Sequence, residues 1–517
     1  MPNTATSHHS TDASTPALLP WWQVHPHRWR AETSALRAGG ARYRVLPSRR
    51  SDPTGSRRIR VRWPTTRHPV LGPSDSTLEV LFGASYPWFA PEVRLRHPHP
   101  VLQRHRNPRT GHLCLLADPG DWHPHDLLAN VLEEQLARIV EANTSPAPGS
   151  DVEERAAEGV RTWLGSANSS VALLVDSAMG SGQIDTDSQA ELLVVDRCDR
   201  GLVLALASLT PAAGEEVRTD AWFGWKHNDV IDVACAAIHR PLTPSDTPRT
   251  VWKLIVDKTP NRSRAIISNP LAAVLNFCLL QVPDETAYRQ LGHTWVLLYR
   301  FRLERRWHYG WTVANNAGPD DLLARQPELQ HVRTRSIAVI GVGAIGHQIA
   351  MHLARAGVGR LVLVDGDIAE AETACRQTPL TTTAMMKVDA VKYLIRDSAP
   401  SCHIAAIPAF IGSATDEDIM DGLTDRVDVI VDAAASRAAT RHISRHARAV
   451  GVPVITVSAT YGGYGGTITT QAADVGSACW ACVQLLQEEH VITWPPQSTK
   501  AADHAGCSMI GAVSFPG

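Results

Sequence analysis

The sequence predicts a multidomain protein of mixed α/β and α+β class, whose C-terminal third forms a doubly wound parallel sheet. Its 517 residues exceed what one hydrophobic core usually organises, so several domains are expected. Two stretches rich in proline, glycine and polar residues, 142–154 and 314–323, indicate domain boundaries. A buried-type strand at 336–340 leads at once into a glycine-rich turn and a helical pattern, which is typical of a parallel α/β unit.

These boundaries divide the chain into four parts. Residues 1–18 lack the pattern of a signal peptide and are expected to form a disordered tail. We expect an N-terminal α+β domain at 19–145, a middle α+β domain at 165–315 and the α/β domain at 330–517. The middle domain contains short apolar runs typical of strands but no set of residues with evident chemistry, so we expect a linker or docking module.

Composition limits the function. The hydrophobic fraction of 44% and the charged fraction of 20% are those of an ordinary globular protein, and a formal net charge of -2 argues against a general nucleic-acid binder. No run reaches the roughly 18 apolar residues of a membrane span. Nine cysteines without short regular spacings favour reduced thiols in a cytoplasmic protein, where a cysteine is more often catalytic or metal-binding than bridged.

The glycine-rich turn contains Gly341, Gly343 and Gly346, between the first strand and the helix. Glycines there let backbone N–H groups approach phosphates at a helix N-terminus. Asp365 and Asp367, at the end of the second strand, could hold ribose hydroxyls. Dinucleotide enzymes carry the same pattern, so the turn alone leaves an NAD-dependent oxidoreductase open.

Three charged residues further along the chain favour ATP. Arg376 lies eleven residues after Asp365, Lys387 lies eleven residues further on, and Asp432 ends another apolar strand. Cleavage of a triphosphate between its α and β phosphates needs cations for the phosphate charge and a carboxylate for Mg²⁺, whereas hydride transfer needs neither. The set therefore predicts that the domain uses ATP and Mg²⁺.

The runs IAVIGVGAIG, LARAGVGRLVLVDGDI, CRQ, MMKVDAVKYLI and VDVIVDAA resemble the ThiF-type adenylyltransferases, which include ubiquitin-activating enzymes and activators of sulfur-carrier proteins. The resemblance implies a Rossmann-like sheet with Asp367 near the ATP ribose. It also implies Arg376 and Lys387 on the phosphates and Asp432 as the Mg²⁺-linked acid. We further expect a homodimer through this domain. Where the family usually has Asn before the Arg-Gln pair, this chain has Thr373.

A candidate nucleophilic cysteine lies in the N-terminal domain. The order YPWFAPEVRL, HRNPRTGHLCLL and DWHPHDLLANVLEEQLARIVEA resembles the ubiquitin-conjugating fold: a strand between prolines, an HPN-like triplet, a G-x-x-C nucleophile and a W-x-P segment before an amphipathic helix. The resemblance implies that Cys114 forms a thioester and that Asn107 supports the oxyanion or its loop. Arg106 stands where proline is expected. Without the flanking pattern, Cys114 would be interpreted as a small buried hydrophobe.

Three cysteines near the end of the sequence are further candidates. Cys479 and Cys482 form CWAC, which is half of a tetrahedral zinc site or else two thiols near a packed tryptophan. Cys507 is the candidate for the activator's own thioester, because a thiolate is a better nucleophile toward an acyl-adenylate than a hydroxyl. The final SFPG does not resemble the end of a helix, so we expect this domain to be incomplete relative to its relatives.

Together the resemblances predict a fused activating and conjugating enzyme, similar to the bacterial fusions that accompany cyclic-oligonucleotide antiphage signalling. ATP would adenylate the C-terminus of a ubiquitin-like protein or of a nucleotidyltransferase, Cys507 would take the acyl group, and Cys114 would pass it to an amine. Fusion would raise the effective concentration of the second thiol to the order of millimolar. Two alternatives are open: an NAD-dependent oxidoreductase, and a non-catalytic adaptor of the same fold with degraded sites.

Overall fold

The computed structural model of the chain describes residues 19–49, 52–53, 55–64, 77–96, 104–116, 119–144, 159–164, 171–179, 184, 188–198, 201–258, 275–287, 290–371, 374, 376–412, 416–460, 463–474 and 476–496. The expected tail at 1–18 lies outside these residues. The chain forms two compact units. The first spans residues 1–169, 236–267 and 271–313, and the second spans 170–235, 268–270 and 314–517. Strands of the middle region belong to both units, and the domain boundaries expected from the sequence stay predictions.

The N-terminal part of the first unit is a helical segment, an antiparallel meander and a second helix. Its elements are α1 (Trp21–Val24), α2 (Pro26–Ala38), β1 (Arg42–Val45), β2 (Arg57–Arg62), β3 (Thr77–Phe82), β4 (Glu92–Leu95) and α3 (Leu128–Thr144). The four strands pair in the order β1-β2-β3-β4, each antiparallel to its neighbour. Alternate residues of β2 and β3, such as Ile59 and Val80, are buried, as the period of two requires for a sheet with one covered face.

Helix α3 covers that face of the sheet. The predicted apolar face of this helix is confirmed at Leu128, Leu132, Leu136 and Ile139, which are buried, while Val131 is half-buried against the same core. Aromatic side chains from the helical segment and the strands complete this core, among them Trp21, Trp63, Phe82 and Tyr86.

A buried carboxylate joins α2 to the start of α3. Glu32 is 0% exposed, and its Oε2 accepts a hydrogen bond of 3.1 Å from the Leu128 N–H. Its Oε1 accepts from Arg28 Nη2 at 3.0 Å and from the Tyr86 hydroxyl. Burial raises the pKa of Glu32 above its ordinary value, although these donors oppose the shift. The contacts of α2 with the start of α3 and with Tyr86 therefore all depend on the Glu32 side chain.

We expect Glu32→Ala to lower the free energy of unfolding of the first unit by about 3–5 kcal/mol, because it leaves the Arg28 guanidinium buried without its partner. Glu134→Ala is the matched control, since Glu134 forms an exposed pair with Arg138 on α3, with side chains 61% and 59% exposed. That change should cost less than about 0.5 kcal/mol. Urea unfolding followed by tryptophan fluorescence measures both; equal effects would contradict the assignment.

The middle region consists of strands with two helices. Its elements are α4 (Val160–Leu164), β5 (Val171–Val175), β6 (Gln189–Cys198), β7 (Gly201–Thr210), β8 (Val217–Arg218), β9 (Val230–Ala237), α5 (Pro248–Lys258), β10 (Leu275–Ala287), β11 (Gln290–Leu303), β12 (Arg306–Val313) and β13 (Asn315–Asn316). In the first unit, β10, β11 and β12 form an antiparallel meander. In the second unit the strand order is β9-β6-β7-β5-β13, with β8 paired to β7. Short 3₁₀ helices lie at Pro119–Asp121, Ser177–Met179, Phe223–Trp225, Pro327–Thr334 and Leu380–Thr382.

The C-terminal part of the second unit alternates strands and helices. Its elements are α6 (Pro319–Leu323), β14 (Ser336–Ile340), α7 (Gly346–Arg355), β15 (Arg360–Val364), α8 (Lys387–Ser398), β16 (His403–Ile407), α9 (Asp416–Thr424), β17 (Val429–Asp432), α10 (Arg437–Val450), β18 (Val454–Ala459), β19 (Gly466–Gln471) and α11 (Trp480–Glu488). The strand order is β16-β15-β14-β17-β18-β19, parallel except for the antiparallel last pair.

Apolar cores lie on both faces of this sheet. Alternate residues of β14 point to opposite sides, so Val339 packs with α7 and α8, whereas Ala338 and Ile340 pack with α9 and α10. A parallel sheet covered by helices on both faces is the doubly wound class. The Rossmann-like sheet predicted for the C-terminal domain is therefore confirmed. Within the described ranges, no helix is long and apolar enough to cross a membrane.

Candidate functional site

The glycine-rich turn lies at the point where the strand order of the C-terminal sheet reverses. β14 sits between β15 and β17, and Ile340 pairs in register with Val364 on one side and Asp432 on the other. Gly341 directly follows this residue, and its N–H donates to Val364 O at 2.8 Å. Ligands of doubly wound sheets bind at this switch point, beyond the carboxyl ends of the strands.

Two of the three glycines are required by the backbone of the turn. Gly341 has φ +84°, and a Cβ there would lie 2.6 Å from Ala433 O. A Cβ on Gly346, the first residue of α7, would overlap the carbonyl oxygen of Gly341. At Gly343 the nearest atom, Gln377 Nε2, would be 3.8 Å away. Gly343 therefore faces open space, where a ligand phosphate could approach.

Asp365 and Asp367 have different surroundings. The Asp365 carboxylate accepts backbone N–H bonds from Val342 at 2.8 Å and from Asp367 at 2.9 Å, so it fastens the glycine-rich turn to the end of β15. Burial raises the pKa of Asp365, against the effect of these donors and of Lys387. The Asp367 side chain is 53% exposed and accepts from Lys387 Nζ at 2.7 Å. The predicted ribose acid and one predicted phosphate cation thus form a pair.

Asp432 ends β17 beside the turn and is 1% exposed. Its Oδ1 accepts from the Ala434 N–H at 3.1 Å. Burial raises its pKa above the ordinary value, while the nearby hydroxyls of Thr440 and Thr456 lower it in part. Among the described residues, Oδ2 of Asp432 is buried and has no partner of good hydrogen-bond geometry, while the Thr440 and Thr456 hydroxyls lie close to the same carboxylate. A buried carboxylate oxygen left open next to a phosphate turn is suited to Mg²⁺, which takes few protein ligands.

The loop after β15 carries the remaining predicted phosphate ligand. Arg376 is half-buried there, next to Gln377, whose Oε1 is buried without a geometrically good partner in the described part of the chain. Gln377, Thr440 and Thr456 are site neighbours that our sequence reasoning did not single out. The CRQ run was the available signal for Gln377, whereas the two threonines lie in ordinary helix and strand patterns. Thr373 lies outside the described residues.

Cys114 lies on the surface of the first unit, in the segment after Gly111. Gly111 has φ +72°, and a Cβ there would lie 2.6 Å from Leu95 O, so the segment packs tightly on β4. The Cys114 N–H donates to His105 O at 2.8 Å. Cys114 is exposed, which contradicts its interpretation as a buried hydrophobe. Its thiol, which donates to Leu116 O at 3.5 Å, is therefore accessible at the surface.

The altered triplet, residues 105–107, contacts the segment that contains Cys114. His105 has φ +56°, and Arg106 is mostly buried and forms a β-bridge with Leu113. Asn107 Oδ1 accepts from the backbone N–H groups of Arg109 and Thr110, each at 3.0 Å. The Asn107 amide thus holds the turn before Cys114.

A cavity of about 220 Å³ lies beside the thiol. Its walls include Cys114 itself, Glu92 and His112, together with apolar side chains from the domain core. The apolar part of the wall consists of Ala90, Pro91, Val93, Leu113, Leu115, Leu116, Trp122, Leu128 and Val131. A small, mostly apolar pocket with a few polar groups is suited to an extended chain terminus or an attacking side chain.

The CWAC pair lies at the start of α11. The two thiol sulfurs of Cys479 and Cys482 are 3.7 Å apart. Burial raises the pKa of Cys479, but hydrogen bonds from Cys482 and Ala481 and the charge of Arg448 bring it below its ordinary value. Among the described residues, no group of three or more His, Cys, Asp or Glu side chains is arranged to hold a metal ion. Cys507 lies outside those residues.

A second cavity, about 680 Å³, is at the other end of the C-terminal sheet. Its walls include Arg333 and Arg335, near the amino end of β14. These guanidinium groups already pair with Asp320 and Asp428, respectively. Size alone therefore does not make this cavity the reactive site, because the open carboxylate and the glycine-rich turn both lie at the carboxyl ends of the strands.

The turn, the acid after β15 and the open Asp432 carboxylate define a nucleotide-binding domain of the doubly wound class. Residues 319–514 match the ThiF family, so the C-terminal region is a ThiF-family adenylyltransferase domain.

Some relatives match this chain over most of its length, and others match only part of it. An uncharacterized protein, y4oA of Sinorhizobium fredii, is 23% identical over 502 residues, covering 90% of this chain and 82% of the relative. The sulfur carrier protein ThiS adenylyltransferase of Escherichia coli is 28% identical over 186 residues, covering 36% of this chain and 68% of that enzyme. A structure of E. coli MccB with ATP is 17% identical with a TM-score of 0.27, and the match covers 32% of this chain and 48% of that one. A TM-score this low does not establish a shared overall fold.

Proposed function

We propose that this protein adenylates the C-terminal carboxylate of a small protein or protein tail and then passes the acyl group through thioesters to an amine. The observation that carries the first step is the open, buried Asp432 carboxylate beside the glycine-rich turn. The similarity to an adenylyltransferase of a sulfur carrier protein supports the class of substrate. The exposed Cys114 supports the second step.

In adenylation, a carboxylate oxygen of the substrate protein attacks the α-phosphorus of ATP. A C–O–P bond forms, the bond between the α-phosphorus and the bridging oxygen breaks, and pyrophosphate leaves. Backbone N–H groups of the turn bind the phosphates, and Arg376 and Lys387 neutralise the growing charge. Asp432 would hold Mg²⁺, which when bound supplies charge compensation for the leaving pyrophosphate.

The pair of Lys387 with Asp367 gives the second cation a defined place. A 2.7 Å bond holds Lys387 Nζ near the end of β15, and its side chain is only 13% exposed. Lysine side chains are flexible, so this one can exchange its carboxylate partner for a phosphate with little rearrangement. Asp367, once released, can accept from a ribose hydroxyl.

Thioester formation follows from the mixed anhydride. A thiolate attacks the acyl carbon, the C–S bond forms, the C–O bond breaks and AMP leaves. We assign this first thiol to Cys507, and the second, which receives the acyl group by thiol exchange, to Cys114. An amine then attacks the Cys114 thioester, so that an amide forms and the thiolate is released.

We further propose that the N-terminal part of the first unit is a ubiquitin-conjugating-like domain. Its element order supports this: the helices α1 and α2, four antiparallel strands, and α3 after the cysteine segment. The acyl donor would be a ubiquitin-like protein or the tail of a nucleotidyltransferase. The protein would act as a homodimer in the cytoplasm, in antiphage defence. Zinc on Cys479 and Cys482 is part of this proposal only if further ligands complete the site.

The test is an ATP-dependent adduct on Cys114. The full chain is incubated with ATP, Mg²⁺ and an extract of its source cells, and the Cys114 peptide is examined by mass spectrometry after non-reducing electrophoresis. We expect an adduct that needs ATP, is lost with reductant and is absent from Cys114→Ala. Pyrophosphate release should persist in that variant, because adenylation precedes transfer.

Cys402→Ala is the matched control, since burial raises the pKa of that thiol to about 12 and makes it a poor nucleophile. It should retain the Cys114 adduct. An adduct that forms equally without ATP would overturn the assigned order. Oxidation of NADH without pyrophosphate release would favour the oxidoreductase, and ATP binding without pyrophosphate release would favour the adaptor.

A further inference from the structure

His112 shares a surface with the candidate nucleophile. Residues 111–115 alternate in burial: Leu113 and Leu115 are buried, whereas Cys114 is exposed and His112 is partly exposed. Side chains two residues apart in an extended segment lie on the same side. His112 and Cys114 also line the same cavity, together with Leu113 and Leu115 of the segment.

The ring of His112 is held by a fixed donor. Arg94 Nε lies 2.5 Å from His112 Nε2, and a backbone bridge joins the same two residues. The Arg94 guanidinium group can only donate, and its contact with Nε2 is shorter than the 3.1 Å contact of that nitrogen with Glu92 Oε2, so we assign Nε2 as the acceptor and the ring proton to Nδ1. Glu92 Oε2 lies 3.1 Å from Arg94 Nη2 and also 3.1 Å from His112 Nε2, so it keeps the guanidinium group in place.

The same surroundings keep the imidazole neutral. Burial and the charge of Arg94 hold the pKa of His112 below its ordinary value, against the opposing effect of Glu92. The ring therefore presents one N–H, on Nδ1, on a segment that also carries Cys114. A hydrogen bond to one ring nitrogen of a histidine, such as the one from Arg94 to Nε2, sets which nitrogen carries the proton and how the ring is oriented.

Attack on a Cys114 thioester produces a negatively charged oxygen that needs such a donor. When an amine nitrogen bonds to the acyl carbon, the carbonyl oxygen takes the electron pair. It returns that pair when the C–S bond breaks, the Cys114 thiolate leaves, and the amine proton passes to solvent. Donors placed at the oxyanion are among the largest contributors to acyl transfer. The Asn107 carboxamide is fixed to the turn through Oδ1, which accepts from the Arg109 and Thr110 N–H groups, and its Nδ2 group is the other candidate donor.

We propose that His112 is a catalytic hydrogen-bond donor for acyl transfer from Cys114, with its Nδ1–H directed at the oxyanion and with Arg94 and Glu92 fixing its tautomer. This inference rests on the proposed role of Cys114 as the acyl-carrying thiol. It assigns to His112 a part of the work that the resemblance placed on Asn107.

The test bypasses adenylation. The full chain is treated with the acetyl-Gly-Gly thioester of 2-mercaptoethanesulfonate, which acylates Cys114 by thiol exchange, and the excess is removed. Loss of the acyl group to added L-lysine is then followed on the Cys114 peptide by mass spectrometry. We expect His112→Ala to slow this loss about a hundredfold, as for other single oxyanion donors.

His112→Asn tests the donor rather than the ring, because its carboxamide N–H can occupy the place of Nδ1–H. We expect it to recover most of the rate. His125→Ala is the matched control in the same domain, since that side chain is 84% exposed, and it should behave as the unchanged protein. Circular dichroism checks that each variant is folded.

The outcomes separate the two proposals. If Cys114 is not acylated in the unchanged protein, the proposed function fails and the inference fails with it. If Cys114 is acylated but His112→Ala discharges at the same rate as His125→Ala, only the role of His112 is overturned. If His112→Asn is as slow as His112→Ala, the donor mechanism is overturned, because the carboxamide N–H then does not substitute.

Discussion

Asp432→Asn should reduce the rate of ATP–pyrophosphate exchange by about a hundredfold to a thousandfold. This is the range expected when one group that stabilises transition-state charge is removed. The carboxamide is nearly isosteric, so the fold should survive. What is lost is the negative charge, and with it the affinity for Mg²⁺ at the pyrophosphate that leaves. Exchange of radiolabelled pyrophosphate into ATP, with the source-cell extract supplying the protein whose C-terminal carboxylate is adenylated, measures the effect.

Asp425→Ala is the control for this change. Asp425 is exposed and lies before β17, at the amino end of the same strand, so the substitution alters charge away from the turn. It should leave exchange unchanged. If Asp432→Asn retains the exchange rate of Asp425→Ala, the open carboxylate is not part of the nucleotide site, and the ThiF-family domain works through another acid or none.

Gly346→Ala should remove most ATP affinity, by about a hundredfold or more, equivalent to about 2.7 kcal/mol. The added Cβ would overlap Gly341 O, so the glycine-rich turn must open to accommodate it. The N–H groups that face the phosphates then no longer converge. Overpacking of this kind also costs about 1–3 kcal/mol of stability. Isothermal titration with ATP and thermal unfolding measure the two effects.

Gly343→Ala separates steric strain from ligand contact. Its Cβ would have no neighbour closer than 3.8 Å, so its unfolding temperature should equal that of the unchanged protein. Any loss of ATP affinity in this variant therefore reports the space in which the ligand sits. Equal unfolding temperatures for Gly346→Ala and Gly343→Ala would contradict the geometry of the turn.

The glycines and the strand ends were readable from the sequence because they are local features. A positive φ at Gly341 and the close approach of Gly346 to the backbone depend on residues only five positions apart, so a short motif records them. Asp432 was also predicted, because the end of a buried apolar strand in a doubly wound sheet lies at the switch point. The surroundings of its carboxylate were not predictable, since they include the hydroxyls of Thr440 and Thr456 from other elements.

The surroundings of Cys114 were harder to predict from the sequence. A G-x-x-C pattern identified the residue but left a buried and a reactive thiol as alternatives. Its exposure follows from the alternation of residues 111–115 against the core, and that requires β4 and α3 in place. Arg94 and His112 are eighteen residues apart and meet only because the segment returns along β4.

The sequence alone thus determined the class of the C-terminal domain, its glycine-rich turn and the carboxylates at the strand ends, because each is set by neighbouring residues or by the period of a strand. The tertiary structure alone decided which of these groups are already occupied. Asp365 is used by the turn, Lys387 is paired with Asp367, and Asp432 keeps an open oxygen. Such differences come from long-range contacts and burial, which no local pattern encodes.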